Sequence, residues 1–185
     1  RNPATTNTHR QYTPRRALAD AVRVGVSDIA IGPRPPEWTG PIVELGCEEF
    51  VAILPASEPL AKSKHSIPLA ELADRDWVLF EPEHGLSELI LATCARAGFT
   101  PRRTVETGQV AAAVHLAAAG LGVTLVPKNV VPEGLRATVR SLKPPLVREL
   151  VAFTRQDWSP LAAAFLEILD GRACQARPPY ADDVG

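Results

Sequence analysis

The sequence predicts an α/β fold in which helices cover a mainly parallel sheet. Residues 107–127 carry much of this prediction, because they read as a helix cap, an alanine-rich helix, a stop at Gly120 and a short strand. The strand lies between Gly122 and Pro127, and its continuous apolar run is typical of a strand buried on both faces. The candidate elements before it also alternate between strand and helix. Such alternation favours right-handed crossovers between parallel strands.

The first part of the chain predicts a weak edge strand, a helix and three short strands. Residues 5–13 are polar with weak strand character. Thr13 and Pro14 are typical of an N-cap followed by proline at the first helical position, and Gly25 ends that helix. The three strands are predicted at residues 28–31, 43–45 and 50–54.

The middle of the chain predicts a linker followed by alternating elements. Residues 55–66 lack periodicity, and a short helix is predicted at residues 68–72. An apolar strand at residues 77–80 precedes a helix that begins near Leu86 and ends at Gly98. The inner face of that helix is predicted to carry Leu89, Ile90, Thr93, Cys94 and Ala97. A strand at residues 102–106 then leads into the helix at Thr107.

The last part of the chain predicts a strand at residues 147–153 and a final helix. Ser159 and Pro160 begin this helix, and Gly171 ends it. Its predicted inward face carries Leu161, Ala164, Phe165 and Ile168. We expect the remaining residues, 174–185, to form a flexible tail.

Composition excludes several classes of function. The formal net charge of −1 and the pI of 6.5 argue against nucleic-acid binding by this chain alone, since phosphate neutralisation needs a basic face. No apolar run approaches the roughly 20 residues that cross a bilayer, and no signal sequence opens the chain. We therefore expect a cytoplasmic protein with a small ligand. The three cysteines lie far apart, which favours reduced thiols in packing roles.

The start of the helix at Thr107 is a candidate anion site. A helix N-terminus presents unpaired N–H groups and the positive end of the helix dipole, and Gly108 leaves the backbone open to close approach. A structural reading stays open beside this one. As a plain N-cap, Thr107 would stabilise its helix by roughly 1 kcal/mol and bind nothing.

Residues 84–87 begin another predicted helix and offer a second candidate. His84 is able to pair with a carboxylate and Ser87 to donate a hydrogen bond, while the alternative is an exposed loop histidine and a helix cap. Ser87 is a poor candidate for a hydrolase nucleophile, because Gly-Leu-Ser-Glu-Leu lacks the second glycine of a nucleophile elbow. We find neither a catalytic set nor a metal-ligand spacing, and His115 is expected at the surface.

Three segments of the chain together carry a resemblance to a known family. They are the helix and strand at residues 18–32, residues 50–61 with Phe-Val-Ala-Ile-Leu-Pro, and residues 117–127 with Ala-Gly-Leu-Gly-Val-Thr-Leu-Val-Pro. In this order and at these separations they resemble the effector-binding domain of LysR-type transcriptional regulators, over nearly the whole chain. That domain has the two-lobed fold of type 2 periplasmic binding proteins.

The resemblance implies two lobes, each a mainly parallel sheet flanked by helices, joined by two crossover strands. Lobe I would comprise residues 1–56 and 139–173, and lobe II residues 57–138. A small effector would bind in the cleft between them. The cleft residues implied by the resemblance are Gly32, Pro33, Pro82, His84, Gly85, Leu86, Ser87, Thr107, Gly108 and Gln109.

The chain departs from the family pattern in two respects. It has no winged helix-turn-helix region, so DNA binding is expected to belong to a missing N-terminal domain. The first strand and first helix of the ligand domain also lack counterparts before the segment near Thr5, and the absence of methionine agrees with a trimmed start. The family resemblance further implies a homodimer or homotetramer, with no membrane partner.

We therefore predict a noncatalytic, ligand-sensing regulatory domain without a cofactor or a metal. Two helix N-termini at the cleft favour a small anionic metabolite, such as a carboxylate. The alternatives are a stand-alone solute-binding protein of the same fold and an enzyme on the same scaffold. A basic helix-turn-helix upstream favours the regulator, whereas a signal peptide favours the solute-binding protein.

Overall fold

The structure, a computed structural model, describes residues 15–62, 65–135 and 138–170. The sequence predictions for residues 5–13, for the Thr13 and Pro14 cap, for Gly171 and for the tail at 174–185 lie outside these ranges. The elements are α1 (Arg15–Arg23), β1 (Ala30–Gly32), β2 (Ile42–Leu54), β3 (Ile67–Pro68), β4 (Asp76–Phe80), α2 (Ser87–Arg96), β5 (Arg102–Thr107), α3 (Val110–Ala118), β6 (Thr124–Pro127), β7 (Thr138–Phe153) and α4 (Pro160–Asp170). Short 3-10 helices lie at Pro59–Lys62, Leu69–Leu72 and Lys128–Val130.

Two long strands, β2 and β7, connect the parts of the described structure. β2 and β7 pair antiparallel, from Ile42 opposite Phe153 to Leu54 opposite Thr138. The sequence predicts two strands, at residues 43–45 and 50–54, where β2 is one. In the structure Gly46 has φ 122° and lies at a register shift, so the strand bends there and continues. These are the two crossover strands that the family resemblance implies.

The sheets combine antiparallel and parallel pairs. The larger sheet has the order β1-β7-β2-β6, with β3 parallel to β7, while β4 and β5 form a parallel pair. A single parallel bridge between Trp77 and Val123 connects β4 to the start of β6. In lobe I the described pairings are antiparallel rather than mainly parallel. The reason is that β1 and β2 both pair with β7, which runs opposite to each of them.

Two hydrophobic cores lie on either side of the crossover. The smaller core is built from α1, β1 and the end of β7, with Val22 and Phe153 almost fully buried. The larger core contains Phe50, Trp77 and Phe80 together with the inner faces of α2 and α3. β2 and β7 contribute residues to both cores, so the lobe boundaries at residues 56 and 139 stay a prediction.

The helices agree with their predicted faces in lobe II but not in α4. Ile90 and Cys94 of α2 are buried, as their spacing predicts. On α4 the predicted inward residues Leu161, Phe165 and Ile168 are exposed, and Ala162 is buried instead. Helical periodicity identifies residues that share a face, but it does not reveal which face meets the sheet. Among the described residues, no helix is both long and apolar enough to cross a membrane.

Gly122 is required where the chain enters β6. Its φ is 153°, and a Cβ there would lie 2.6 Å from the carbonyl oxygen of Asp76. The close approach permits two backbone bonds, from Val78 N–H to Val123 O at 2.9 Å and from Val123 N–H to Asp76 O at 2.8 Å. Gly122 therefore positions β6 beside β4.

We expect Gly122→Ala to lower the free energy of unfolding by about 3 kcal/mol, through backbone strain and a clash with main-chain atoms that have no flexible end to move. Gly120→Ala is the matched control, because Gly120 also has positive φ but has open space around it. It should lower that free energy by about 1 kcal/mol. Urea denaturation measures both. Equal losses in the two variants would show that the contact with Asp76 is unimportant.

Candidate functional site

The carboxyl ends of β4 and β5 bring two of the predicted loops together. Phe80 lies opposite Thr107 in this parallel pair, and the Glu81 N–H donates to the Thr107 carbonyl oxygen at 3.2 Å. The loops that follow the two strands therefore leave the same edge. Ligands of open α/β sheets bind outside the carboxyl ends of the strands, so this edge is the natural candidate site.

The start of α3 differs in detail from the prediction. The helix begins at Val110, and Gln109 occupies the N-cap position with φ −128° and ψ 127° and no side-chain cap bond. Thr107 is not the N-cap. Its Oγ1 accepts the Gln109 N–H at 3.2 Å, and Thr107 itself lies three residues before the helix begins. Thr107 thus fixes the backbone conformation just before the helix. The N–H groups of the first helical turn belong to later residues.

A carboxylate of the protein faces the predicted anion site. A Cβ on Gly108 would lie 2.9 Å from Oε2 of Glu81, so this side chain rests against the backbone that glycine leaves open. Glu81 itself is exposed. A negatively charged ligand approaching this backbone has to displace Glu81 or bind beside it. The sequence pattern identified Gly108 as a candidate site residue but did not indicate Glu81. The pairing of β4 with β5 brings Glu81 next to Gly108.

His84 is buried, and its imidazole is uncharged at neutral pH. Its ring stacks on Phe80 with 4.4 Å between centroids, and its Nδ1 accepts the Leu86 N–H at 3.2 Å. Burial, together with the positive charge of Arg148, lowers the pKa of His84 from 6.5 to about 4. At neutral pH the proton therefore sits on Nε2. The predicted pairing of His84 with a carboxylate would therefore involve the neutral imidazole, and it stays a prediction.

The other predicted residues of this loop divide into buried and accessible ones. Ser87 is buried, and its Oγ donates to the Phe80 carbonyl oxygen at 3.3 Å, so it neither caps α2 nor points outward. Leu86 is fully buried in the larger core. Pro82 is exposed and Gly85 is half-buried. Leu86 and Ser87 therefore shape the loop, and Pro82 and Gly85 lie nearer the surface.

A buried ion pair at the crossover was not found by the sequence analysis. Arg148 on β7 lies opposite Glu48 on β2, and their side chains are 10% and 7% exposed. The Arg148 Nε donates to Glu48 Oε2 at 3.1 Å, and Nη2 donates to the same oxygen. Arg148 is also the charge that acts on His84. No motif marks this arginine, because its partners come from strands and loops distant in sequence.

Gly32 and Pro33 belong to lobe I and lie beside the same crossover. Gly32 ends β1 opposite Val151, three positions along β7 from Arg148. The neighbouring Arg34 donates to Glu44 at 3.0 Å and lies 3.7 Å from Glu149. The structure thus brings the loops after β4 and β5 together, and it places Gly32 beside β7. That Gly32 and Pro33 belong to the same site stays a prediction.

Other candidate features lie elsewhere. A cavity of about 140 Å³ is lined by Arg23, Glu37, Trp38, Thr39, Gly40 and Arg155, none of them a predicted site residue. Within the described ranges, no cluster of three histidine, cysteine or acidic residues is arranged to hold a metal. Burial raises the pKa of Cys94 to about 12, which agrees with a packing role. His115 is exposed on α3 as predicted.

Sequence comparisons identify related proteins. The LysR substrate binding domain matches residues 10–173. The chain is 34% identical over 161 residues to the transcriptional dual regulator GltC of Bacillus subtilis, an alignment that covers 82% of this chain and 53% of GltC. The chain therefore spans about half the length of this curated relative.

Two solved structures share the fold. The effector binding domain of QuiR in complex with shikimate has a TM-score of 0.73 and 22% identity, and the match covers 86% of this chain and 78% of that one. The BenM effector binding domain with its effector benzoate has a TM-score of 0.72 and 21% identity, covering 90% and 80%. These likenesses confirm the predicted two-lobed fold class.

The depressed pKa of His84 predicts a loss of stability in mild acid. Between about pH 6.5 and pH 4 the unfolded chain binds a proton at this histidine and the folded chain does not, so stability falls as the pH falls. His84→Asn removes the titration, and its Oδ1 is able to accept the same Leu86 N–H. Relative to wild type, we expect this variant to lose about 2 kcal/mol less between pH 6.5 and pH 4.5.

Urea denaturation at several pH values measures this difference. His115→Asn is the control, because His115 is exposed. An unchanged pH dependence in His84→Asn would show that His84 titrates normally in the folded state.

Proposed function

The chain belongs to the LysR substrate-binding domain family, and from this membership we propose that it is the ligand-sensing regulatory domain of a LysR-type transcription regulator. Its ligand is a small anion, most simply a carboxylate, bound in the cleft between the lobes. The observation that carries this proposal is the meeting of the loops after β4 and β5 at one sheet edge, beside the charge of Arg148.

The proposed binding surface has members from both lobes. Lobe II contributes the accessible part of the loop after β4 and the start of α3, where first-turn N–H groups and the helix dipole favour an anion. Lobe I contributes the end of β1. The residues proposed for the surface are Gly32, Pro33, Pro82, His84, Gly85, Leu86, Ser87, Thr107, Gly108 and Gln109. Leu86 and Ser87, being buried, act by holding the loop in shape.

The ligands of two relatives in fold support the choice of an anion. QuiR binds shikimate, and BenM binds benzoate as its effector. Both are carboxylates at neutral pH, and both bind in domains of this fold. In this chain the proposed binding surface also includes a neutral His84 and an acidic Glu81. These two side chains would help to determine which anion binds.

The proposed mechanism is a shift between two lobe arrangements. β2 and β7 are the only described strands that enter both cores, so relative motion of the lobes bends this pair. A ligand changes the arrangement only if it binds one form more tightly than the other. An anion that contacts both lobes has that preference, because the contacts with the second lobe exist only when the cleft is closed.

In the whole protein, we propose that this shift controls DNA binding by an N-terminal winged helix-turn-helix domain. GltC, which is about twice as long as the stretch it shares with this chain, is a transcriptional regulator. A cytoplasmic homodimer or homotetramer fits this role. Because the relative GltC is a transcriptional regulator, we favour a sensing role over a stand-alone solute-binding protein or an enzyme.

A thermal-shift screen of the chain with shikimate and benzoate tests the binding proposal, with benzamide as the uncharged control. At a concentration 100 times its dissociation constant, a bound carboxylate should stabilise the chain by roughly 2.7 kcal/mol. Thr107→Val removes the bond to the Gln109 N–H and should weaken carboxylate binding severalfold. Thr100→Val, at an exposed position before β5, is the control. The proposal fails if no carboxylate stabilises the chain, and the helix-start site fails if Thr107→Val binds as tightly as wild type.

Removal of the Glu81 charge should tighten anion binding. Glu81→Gln keeps the size of the side chain against Gly108 but removes a like charge from the path of the anion, for an expected gain of about threefold in affinity. Glu83→Gln, an exposed neighbour, is the control and should change the affinity little. Calorimetric titration with the carboxylate found in the screen measures both. Weaker binding to Glu81→Gln would mean that the negative charge of Glu81 helps to bind the ligand instead of opposing it.

A further inference from the structure

The cavity of about 140 Å³ lined by Arg23, Trp38 and Arg155 shares no residue with the proposed cleft surface. Its walls come from the end of α1, the segment before β2 and the residues after β7. The last residue of β7 lies opposite the first residue of β1, whereas Gly32 of the proposed surface is the last residue of β1. The cavity and the proposed surface are therefore built from different segments of lobe I.

Arg155 is a cation without a counter-charge. Among the arginines whose side chains the structure describes, it alone has neither an ion pair nor a hydrogen bond. Its guanidinium rests against the backbone of Gly25, where a Cβ would lie 2.8 Å from Nη1. The side chain is exposed, and a guanidinium carries five N–H donors in a fork that matches the two oxygens of a carboxylate. Arg155 thus keeps its donors for a partner from outside the chain.

A second guanidinium and an aromatic ring line the same cavity. The guanidinium of Arg23 lies 5.4 Å from the ring centroid of Trp38, and its Nη1 donates to Asp20 at 3.1 Å. The indole is held by Phe153 in an edge contact, with 5.0 Å between the ring centroids. The cavity therefore offers positive charge and an apolar wall within one small volume.

The indole of Trp38 has a buried donor without an acceptor. Its Nε1 is buried, and no described residue accepts its hydrogen. Gly40, which also lines the cavity, closes over this nitrogen. A Cβ on Gly40 would lie 2.9 Å from Nε1 and 2.3 Å from the carbonyl oxygen of Thr154. A buried polar group of this kind calls for an acceptor from outside the chain, such as water or a ligand.

We propose that this cavity is a second binding site, separate from the cleft, for a small carboxylate, and that Arg155 makes the main contact with the carboxylate oxygens. A cavity of about 150 Å³ holds one benzene ring, so the ligand is a short-chain or single-ring acid. Glu37 on the lining and Asp20 beside Arg23 offset part of the positive charge. A singly charged carboxylate therefore fits better than a doubly charged phosphate.

A purely structural role for the two arginines is the alternative that the test has to separate. Both lie beside the end of α1, where the negative end of the helix dipole favours a cation without any ligand. Arg96 is exposed in the last turn of α2 and does not line this cavity. Arg96→Met is therefore the matched control for the same substitution at Arg155.

NMR titration of the 185-residue chain with propionate tests the site, because the indole N–H of Trp38 gives a signal of its own. Trp38→Phe identifies this signal by removing it. The Trp77 indole N–H, which donates to the Leu72 carbonyl oxygen at 3.2 Å in the larger core, is the internal reference. Propionamide, uncharged and of similar shape, and inorganic phosphate are the comparison ligands. The variants are Arg155→Met, Arg155→Lys, Arg23→Met and Arg96→Met.

We expect propionate to shift the Trp38 signal in a saturable way and to leave the Trp77 signal in place. Propionamide should cause no saturable shift, and phosphate should bind more weakly than propionate. Arg155→Met should bind propionate at least about tenfold more weakly, and Arg155→Lys should recover part of the affinity, since it restores the charge but not the fork. Arg23→Met should weaken binding severalfold, and Arg96→Met should bind as wild type does.

Two results would overturn the inference that the cavity is a carboxylate site. If propionate leaves the Trp38 signal of wild type in place, or if Arg155→Met binds propionate as tightly as wild type, Arg155 serves only as a counter-charge at the end of α1. Phosphate binding as tight as propionate would overturn the choice of a carboxylate as ligand. Because Arg155 is exposed, we expect its variants to fold, and the Trp77 signal of each variant checks this.

Discussion

The antiparallel pairing of β2 with β7 is the constraint on which the rest of the structure depends. One end of this pair forms the sheet of lobe I with β1, and the other end forms the sheet of lobe II with β6 and β3. Neither core would exist without it, since Phe153 anchors one and Phe50 the other. A two-stranded connection bends more easily than a packed domain interface. The pair therefore connects the two lobes, and the proposed change between lobe arrangements would bend it.

The parallel pair of β4 and β5 has the corresponding role for the site. Asp76 at the start of β4 accepts from Arg102 Nε and Thr104 Oγ1, both at 2.8 Å, and these bonds tie the opposite end of the pair. With the register set there, Phe80 and Thr107 come level, and their loops must diverge from the same edge. The position of the candidate site thus follows from strand direction, and its chemistry follows from the few side chains that reach the edge.

Charge at this edge is finely balanced rather than strongly positive. Glu81 faces Gly108, Glu48 neutralises Arg148, and His84 carries no charge at neutral pH. A site of this kind does not collect anions from solution by long-range attraction. Under the proposed function it would select them at short range, where a ligand exchanges with or joins carboxylates already present. This arrangement suits a sensor, because discrimination between similar small metabolites depends on contact geometry more than on net charge.

Much of the fold was predictable from local patterns, because those patterns act over a few residues. The apolar run before Pro127, the glycine stops and the spacing of Ile90 and Cys94 each specify an element or its buried face without reference to the rest of the chain. The same reasoning failed where the buried face of a helix depends on which element packs against it. On α4 the apolar stripe containing Phe165 is exposed, since nothing in a helical period says which side the sheet will cover.

The candidate site was likewise predictable from the sequence only in part. Local sequence identified the segments at Thr107 and His84, because a helix start and its preceding loop are neighbours in the chain. The charge state of His84, the presence of Glu81 over Gly108 and the Arg148–Glu48 pair came from contacts between residues far apart in sequence. Glu48 and Arg148 are 100 positions apart. Such contacts depend on strand register and burial, which exist once the chain has folded and which no local pattern encodes.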